Sequence, residues 1–235
     1  MKTDFFGALK TPVNFYLIRH GQSEGNAEKI MQGRGEYALT ELGRTQAARR
    51  GLALKDTLAE RPGKVLYFSS PMSRAKETAE IIGRETGLGQ PEFIDDLKEM
   101  DLGAWGGKTW DQVRADPLWN DFRLHSWDAI PGAETSGILF ARSLALWGEF
   151  RDRAAESGAG AVVVVTHGGL VQWLLKSTMG VKSWFPLFPI SNCGLFKFCV
   201  EPLPGQNAAY SSWDEINLRL PANASDAAGT RGFPT

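Results

Sequence analysis

Val13 to Gly21, written VNFYLIRHG, and Ala161 to Gly169, AVVVVTHGG, are built alike: a short apolar or β-branched run, then an arginine or threonine, a histidine and a glycine. Such runs read as strands buried on both faces, because the pleat sends alternate side chains to opposite sides and neither set here is charged. The chain then leaves each strand through a loop that carries His20 or His167. A third unit of this kind lies between them. Val65 to Phe68 reads as a strand and Ser69-Ser70-Pro71 as its exit, with Arg74 at the place comparable to the histidines. A helix is expected to start at Ser70-Pro71 and to carry Ala75, Ala79, Ile81 and Ile82.

Helical spacing appears elsewhere too. Thr40, Glu41 and Gly43 open a helix with Leu42, Ala47, Leu52, Leu54 and Leu58, which Arg61-Pro62-Gly63 closes. Glu134 to Ala155 and Leu170 to Met179 are further helices, and Ile190 to Val200 and Trp213 to Leu220 offer the last strands. Strands alternating with helices imply an α/β fold with a largely parallel sheet, whose ligands bind beyond the carboxyl ends of the strands. That rule brings Arg19-His20, Ser70 to Arg74 and His167-Gly168 to one edge. Glu99 to Pro131 lacks clean periodicity yet holds Trp105, Trp110, Trp119 and Trp127, half of the eight tryptophans. It reads as an inserted cap, although core packing explains any one of Trp110, Trp119 and Trp127 better. The expected organisation is a single domain over 1–220, with a lid insertion at about 100–133 and a flexible tail at 221–235.

The 235 residues are 43% hydrophobic and 23% charged, an ordinary globular balance. With 26 Lys+Arg against 27 Asp+Glu the net charge is -1, which gives no general pull toward nucleic acid or an anionic membrane. Two cysteines and three histidines form neither a disulfide framework nor a four-ligand zinc site, so reduced chemistry without metal or cofactor is expected. Asp4 interrupts any secretory signal near the start, and no apolar run reaches the roughly 20 residues of a membrane span, so a cytoplasmic protein is expected. Asn223-Ala224-Ser225 is read as a chance sequon. Cys193 and Cys199, evenly spaced in one expected strand, read as buried thiols sharing a face; Arg49, Arg50, Lys55 and Asp56 read as a solvated helix face, and His125 as a surface or lid residue.

What can the converging loops do? Two guanidinium groups, Arg19 and Arg74, grip phosphate oxygens bidentately, and glycines after the histidines let backbone N–H groups approach an anion at a helix start. A histidine beside a bound phosphoryl group is a nucleophile when its second nitrogen is hydrogen-bonded, and either His20 or His167 satisfies that description. Phosphoryl transfer asks mainly for alignment and charge neutralisation, which these residues supply without a metal. A leaving alkoxide needs an acid with an upward-tuned pKa, for which Glu99 is the candidate and Asp101 its rival.

Leu17-Ile18-Arg19-His20-Gly21-Gln22-Ser23-Glu24-Gly25-Asn26 resembles the signature of the histidine phosphatase superfamily, the phosphoglycerate mutase-like proteins. The resemblance continues through Gln32-Gly33-Arg34, Leu39 to Ala47, Ser69 to Ala79, Leu97 to Trp105, Pro131 to Thr135, Val165 to Gly169 and Asn192-Cys193, and so covers nearly the whole chain to about Val200. It implies a three-layer αβα sandwich with an insertion near the glutamate loop. It also implies His20 as the phosphorylated nucleophile, Arg19, Arg74 and His167 as holders of the phosphoryl group, and Glu99 as proton donor. Ser23, Asn26 and the backbones of Gly33 and Gly168 would complete the cradle.

Two departures from the family pattern bear on substrate placement: Trp105-Gly106-Gly107 stands where many members have Trp-Glu-Gly, and the acidic residue after the Gln-Gly stretch is at best Glu36. Leu102 also stands where the mutase branch has tyrosine. From Lys108 to Glu134 three Lys/Arg face five Asp/Glu, a balance of -2 that suits hydrolysis better than retention of a doubly phosphorylated intermediate. The expected activity is metal-independent hydrolysis of a small phosphorylated metabolite by a monomer or homodimer. The alternatives are a cofactor-dependent phosphoglycerate mutase and a non-catalytic phospholigand binder.

Overall fold

The computed structural model describes residues 4–60 and 63–220, so the expected tail, the sequon and Arg61-Pro62 lie outside the described residues. Six strands form one sheet in the order β3 (Glu92–Phe93), β2 (Val65–Ser69), β4 (Ala161–Thr166), β1 (Val13–Arg19), β5 (Leu195–Pro202) and β6 (Ala209–Leu218). The first four run parallel, while β5 is antiparallel to both β1 and β6. The register pairs Arg19 with Thr166 and Ser69 with Val165, so the three loops that follow β1, β2 and β4 leave one edge together.

The strand interiors explain the layers. Phe15, Leu17, Val162 and Val164 join a core with Trp147, Phe150, Leu170 and Leu174, from α6 (Ser136–Ser157) and α7 (Gly168–Thr178). Tyr16, Ile18, Val163 and Val165 point the other way, onto Leu54 of α2 (Glu41–Ala59) and Ala75, Ala79 and Ile82 of α3 (Ser73–Thr86). Each β-branched run thus serves two apolar cores at once, and the result is a three-layer αβα sandwich. A third apolar cluster contains Trp105, Val113, Phe122, Trp127, Trp173 and Trp184, and is served by the short helices α4 (Trp110–Arg114) and α5 (Trp119–His125). Trp105 and Trp127 are buried and Trp110 and Trp119 are packed partly buried against the same cluster, so packing accounts for all four.

Several boundaries differ from expectation. α3 starts at Ser73, with Met72 in extended backbone as its N-cap, while the Ser70 hydroxyl contacts Met72 N and His167. β5 starts at Leu195: Cys193 has φ 50 and lies in the turn before it, so the two thiols do not share a strand face. Cys193 is buried, but Cys199 is partly exposed, with its thiol 2.9 Å from Asp214. β6 begins four residues before Trp213. Arg50 is no part of a solvated face: it is buried, and its guanidinium donates to the carbonyls of Cys193 and Leu218, pinning α2 to the sheet's far strands. His125 is exposed on α5. Among the described residues no helix is long and apolar enough to cross a membrane.

Candidate active site

His20 leaves β1 buried, at 2% exposure, and its ring is held at both nitrogens. Nδ1 lies 2.7 Å from the Gly21 carbonyl and Nε2 lies 3.2 Å from Arg74 Nε. A carbonyl only accepts and a guanidinium only donates, so Nδ1 carries the hydrogen and Nε2 presents its lone pair. Burial holds the His20 pKa well below 6.5, and the positive charges of Arg74 and Arg19 add to the effect. The ring is therefore neutral at neutral pH. His167, at the start of α7, stands with its ring centroid 5.2 Å from that of His20. Its pKa is likewise well below the ordinary value, through burial first and then Arg74, His20 and Arg19.

The arginines are held from behind. Arg74 donates to the carbonyls of Gly33 and Gly35, both at 2.8 Å, and Arg19 donates to Ile190 O at 2.7 Å. Gly33 adopts φ +49 and brings its carbonyl to this guanidinium, a backbone conformation glycine takes at low cost. Two buried nitrogens beside this cluster, Arg19 Nε and His167 Nδ1, have no hydrogen-bond partner among the described residues. Buried polar nitrogens without partners are costly in a protein interior, and here they sit among cationic groups, as an anion site requires.

Glu99 reaches the same place from the loop after a short 3₁₀ turn (Asp95–Leu97). Its Oε1 accepts from Met100 N (2.9 Å) and Leu170 N (3.1 Å), and Oε2 accepts from Gly169 N (3.1 Å). The carboxylate thus accepts from two N–H groups of the first turn of α7. A Cβ at 169 would stand 2.5 Å from Glu99 Oε1, so any side chain there would displace the carboxylate. Two carboxyl oxygens offer about four lone-pair positions, and three are taken, leaving one on Oε2 open. The rival Asp101 points elsewhere, its Oδ1 accepting from Gly103 N at 2.9 Å.

Ser23 and Asn26 form the capping box of the single-turn helix α1 (Glu24–Ala27). Ser23 is fully buried, with its hydroxyl 2.7 Å from Gln32 Oε1, so its contacts are those of a support for the loop. Asn26 Oδ1 receives Ser23 N and Asn192 Nδ2, the latter at 3.1 Å. Gly168 sits against Arg19, with its Cβ direction 3.4 Å from Arg19 Nε. Glu36 accepts from Ser73 N and Oγ at the start of α3, so the carboxylate expected after the Gln-Gly stretch serves that helix.

Sequence reasoning did not assign two groups that the geometry brings in. Ser70 Oγ stands 2.8 Å from His167 Nε2, and Asn192 Nδ2 donates to His20 O at 3.2 Å while also touching Asn26. Both residues lie in stretches that carry the family resemblance, which was the available signal.

The histidine phosphatase superfamily (branch 1) matches residues 15–207. A glucosyl-3-phosphoglycerate phosphatase of Mycobacterium tuberculosis is 33% identical over 216 residues, 87% of this chain and 91% of its own length. A 2,3-bisphosphoglycerate-dependent phosphoglycerate mutase of Methylorubrum extorquens is 33% identical over 174 residues, 71% of this chain and 79% of its own. A solved mycobacterial glucosyl-3-phosphoglycerate phosphatase in complex with VO3 superposes with a TM-score of 0.73 at 29% identity, covering 87% of this chain and 99% of that one. On the family match over residues 15–207 and these relatives, the chain belongs to branch 1 of the histidine phosphatase superfamily and is an enzyme of that family.

Proposed function

We propose that the protein hydrolyses a phosphomonoester of a small metabolite through a phosphohistidine on His20, without a metal. The observation that carries this reading is the fixed tautomer of His20: a neutral, buried imidazole whose Nε2 lone pair faces the guanidinium of Arg74. Nε2 attacks phosphorus and the bond to the alcohol oxygen breaks. Glu99 gives its Oε2 proton to that oxygen, and the alcohol departs. Water then attacks phosphorus, Glu99 recovers a proton from it, and the N–P bond breaks to release phosphate. Arg19, Arg74 and His167 hold the equatorial oxygens throughout, where positioned donors are most effective. Asn26 and the N–H of Gly168 at the head of α7 complete the cradle. Ser70, donating to Nε2 of His167, keeps that ring's hydrogen on Nδ1, so that it serves as one more donor to the phosphoryl group.

The mutase reading draws on the relative from Methylorubrum extorquens, but the lid weighs toward hydrolysis. Of its three Lys/Arg, Lys108 is paired with Asp116 and Arg114 with Asp111, which leaves little free positive charge to retain a second phosphate. The binder reading calls for loss of His20 or Glu99, and the chain carries both residues.

Phosphate release from p-nitrophenyl phosphate and from a panel including glucosyl-3-phosphoglycerate, with EDTA present, tests the reading. We expect turnover in chelator and an acid-labile, alkali-stable phosphoenzyme in quenched samples. Isomerisation of 3-phosphoglycerate primed by 2,3-bisphosphoglycerate that outpaced phosphate release would replace hydrolase by mutase.

A further inference from the structure

Arg34 lies between the two residues whose carbonyls grip Arg74, Gly33 and Gly35. Its own side chain does not follow them inward. It is 46% exposed and crosses from the Arg74 loop to the Glu99 loop, with Nε 3.4 Å from the Glu99 carbonyl and a terminal nitrogen 3.3 Å from Glu134 Oε2. The guanidinium therefore spans the rim between the group that holds the phosphoryl oxygens and the group that protonates the leaving oxygen.

Its ion pair with Glu134 is supernumerary. The same Oε2 already accepts from Arg142 at 3.0 Å and from Asp101 N at 2.8 Å, and Arg142 is 9% exposed and Glu134 13%. Glu134 is thus satisfied from the protein side by an arginine nearly out of water. Arg34 is the third donor to one oxygen and the most exposed of the set, so it is the one that exchanges partners. Two guanidinium groups share one carboxylate, and one positive charge remains at the mouth of the site.

We infer that Arg34 is a specificity-determining residue that recognises a carboxylate on the alcohol part of the substrate. The inference rests on the hydrolase reading above. With phosphorus at His20 and the ester oxygen at Glu99, the alcohol must pass this rim, and a carboxylate there meets a planar fork that binds it bidentately. One unit of charge matches a carboxylate better than a second phosphate of about -2. The alternative role is a latch, in which Arg34 only steadies the Glu99 loop through that residue's carbonyl.

Steady-state kinetics on 3-phosphoglycerate and glycerol 3-phosphate, which differ in the carboxylate, separate the two roles in wild type, Arg34→Gln and Arg34→Lys. Wild type should prefer 3-phosphoglycerate in kcat/KM. Arg34→Gln should lose about tenfold of that preference or more, chiefly in the KM for 3-phosphoglycerate, and Arg34→Lys should retain part of it. Equal losses on both substrates, the signature of a latch, would overturn the inference, as would a wild type with no preference for the carboxylate. If no phosphate is released even from p-nitrophenyl phosphate, the hydrolase reading fails and takes this one with it; release without carboxylate preference sinks Arg34's role alone.

Discussion

His20 and His167 occupy the same place in two equivalent units, a buried parallel strand followed by histidine, glycine and a helix or loop, yet their rings are wired in opposite senses. His20 has its Nδ1 bound to the carbonyl of the very next residue and offers Nε2, beside Arg74. His167 has its Nε2 bound to Ser70, ninety-seven residues away in sequence, and leaves Nδ1 without a partner. In the proposed mechanism one ring gives an electron pair and the other a hydrogen bond. Repeating a strand–loop unit thus supplies position, while the atom that each imidazole presents is decided by the partner behind it.

The largest effect expected from this division is at His20. His20→Ala should lower kcat for any phosphomonoester by at least about 10⁴-fold, because no second group nearby offers an aligned lone pair. It should also abolish the trapped phosphoenzyme; a variant that still accumulated phosphohistidine would show that the two rings can exchange roles. His167→Ala removes a donor and keeps the nucleophile, so the loss should be about 10²–10³-fold, the size seen when one positioned oxyanion donor is removed. Its phosphoenzyme should still form, only more slowly, and rapid-quench kinetics would read the difference.

The rings are alike in one respect, and pH tests it. Both pKa values are depressed in the folded state, so between those native values and about 6.5 the unfolded chain binds more protons than the native one. Stability should accordingly rise with pH across that window and fall as pH drops below 6.5. Carboxylates such as Asp214, held down to about 2 by its bonds to Cys199, Lys197 and Ser212, contribute only at lower pH, and Lys176, lowered to about 8 by burial, only at higher pH. Thermal melts between pH 7.5 and 5.5 should show Tm falling in the wild type and falling less in His20→Asn and in His167→Asn. Equal slopes in all three would mean that the rings are not buried as neutral species.

Much of this arrangement can be read from the residues. VNFYLI and AVVVV have the composition of two-faced strands, and the carboxyl-edge rule for parallel sheets then forces His20, Arg74 and His167 together. The remainder depends on distant partners that no local pattern carries. β3 is two residues long and has no periodicity to find. Arg50 looks like any helix-surface charge until two carbonyls 143 and 168 residues on take its guanidinium. Glu99 and Asp101 are equivalent on paper; what separates them is that the first turn of α7 turns its N–H groups to one and the Gly103 turn claims the other. Ser70 reads as a helix cap, and its bond to His167 exists only once β2 and β4 are neighbours.

That bond gives the smallest and sharpest test. Ser70 Oγ accepts from Met72 N at 3.3 Å and stands 2.8 Å from His167 Nε2, to which its hydroxyl donates in the proposed mechanism. Ser70→Ala removes both the partner and the bias that keeps the hydrogen on Nδ1, leaving a buried nitrogen unsatisfied at a cost of about 1–3 kcal/mol in stability. The ring then populates both tautomers, and only one donates to the phosphoryl group, so kcat/KM should fall by about threefold to tenfold. Ser70→Thr, which restores the hydroxyl, should recover activity wherever its added methyl fits. If Ser70→Ala matched wild-type kcat/KM, the hydroxyl would be a packing feature of β2, and the contrast between the two histidines would rest on His20 alone.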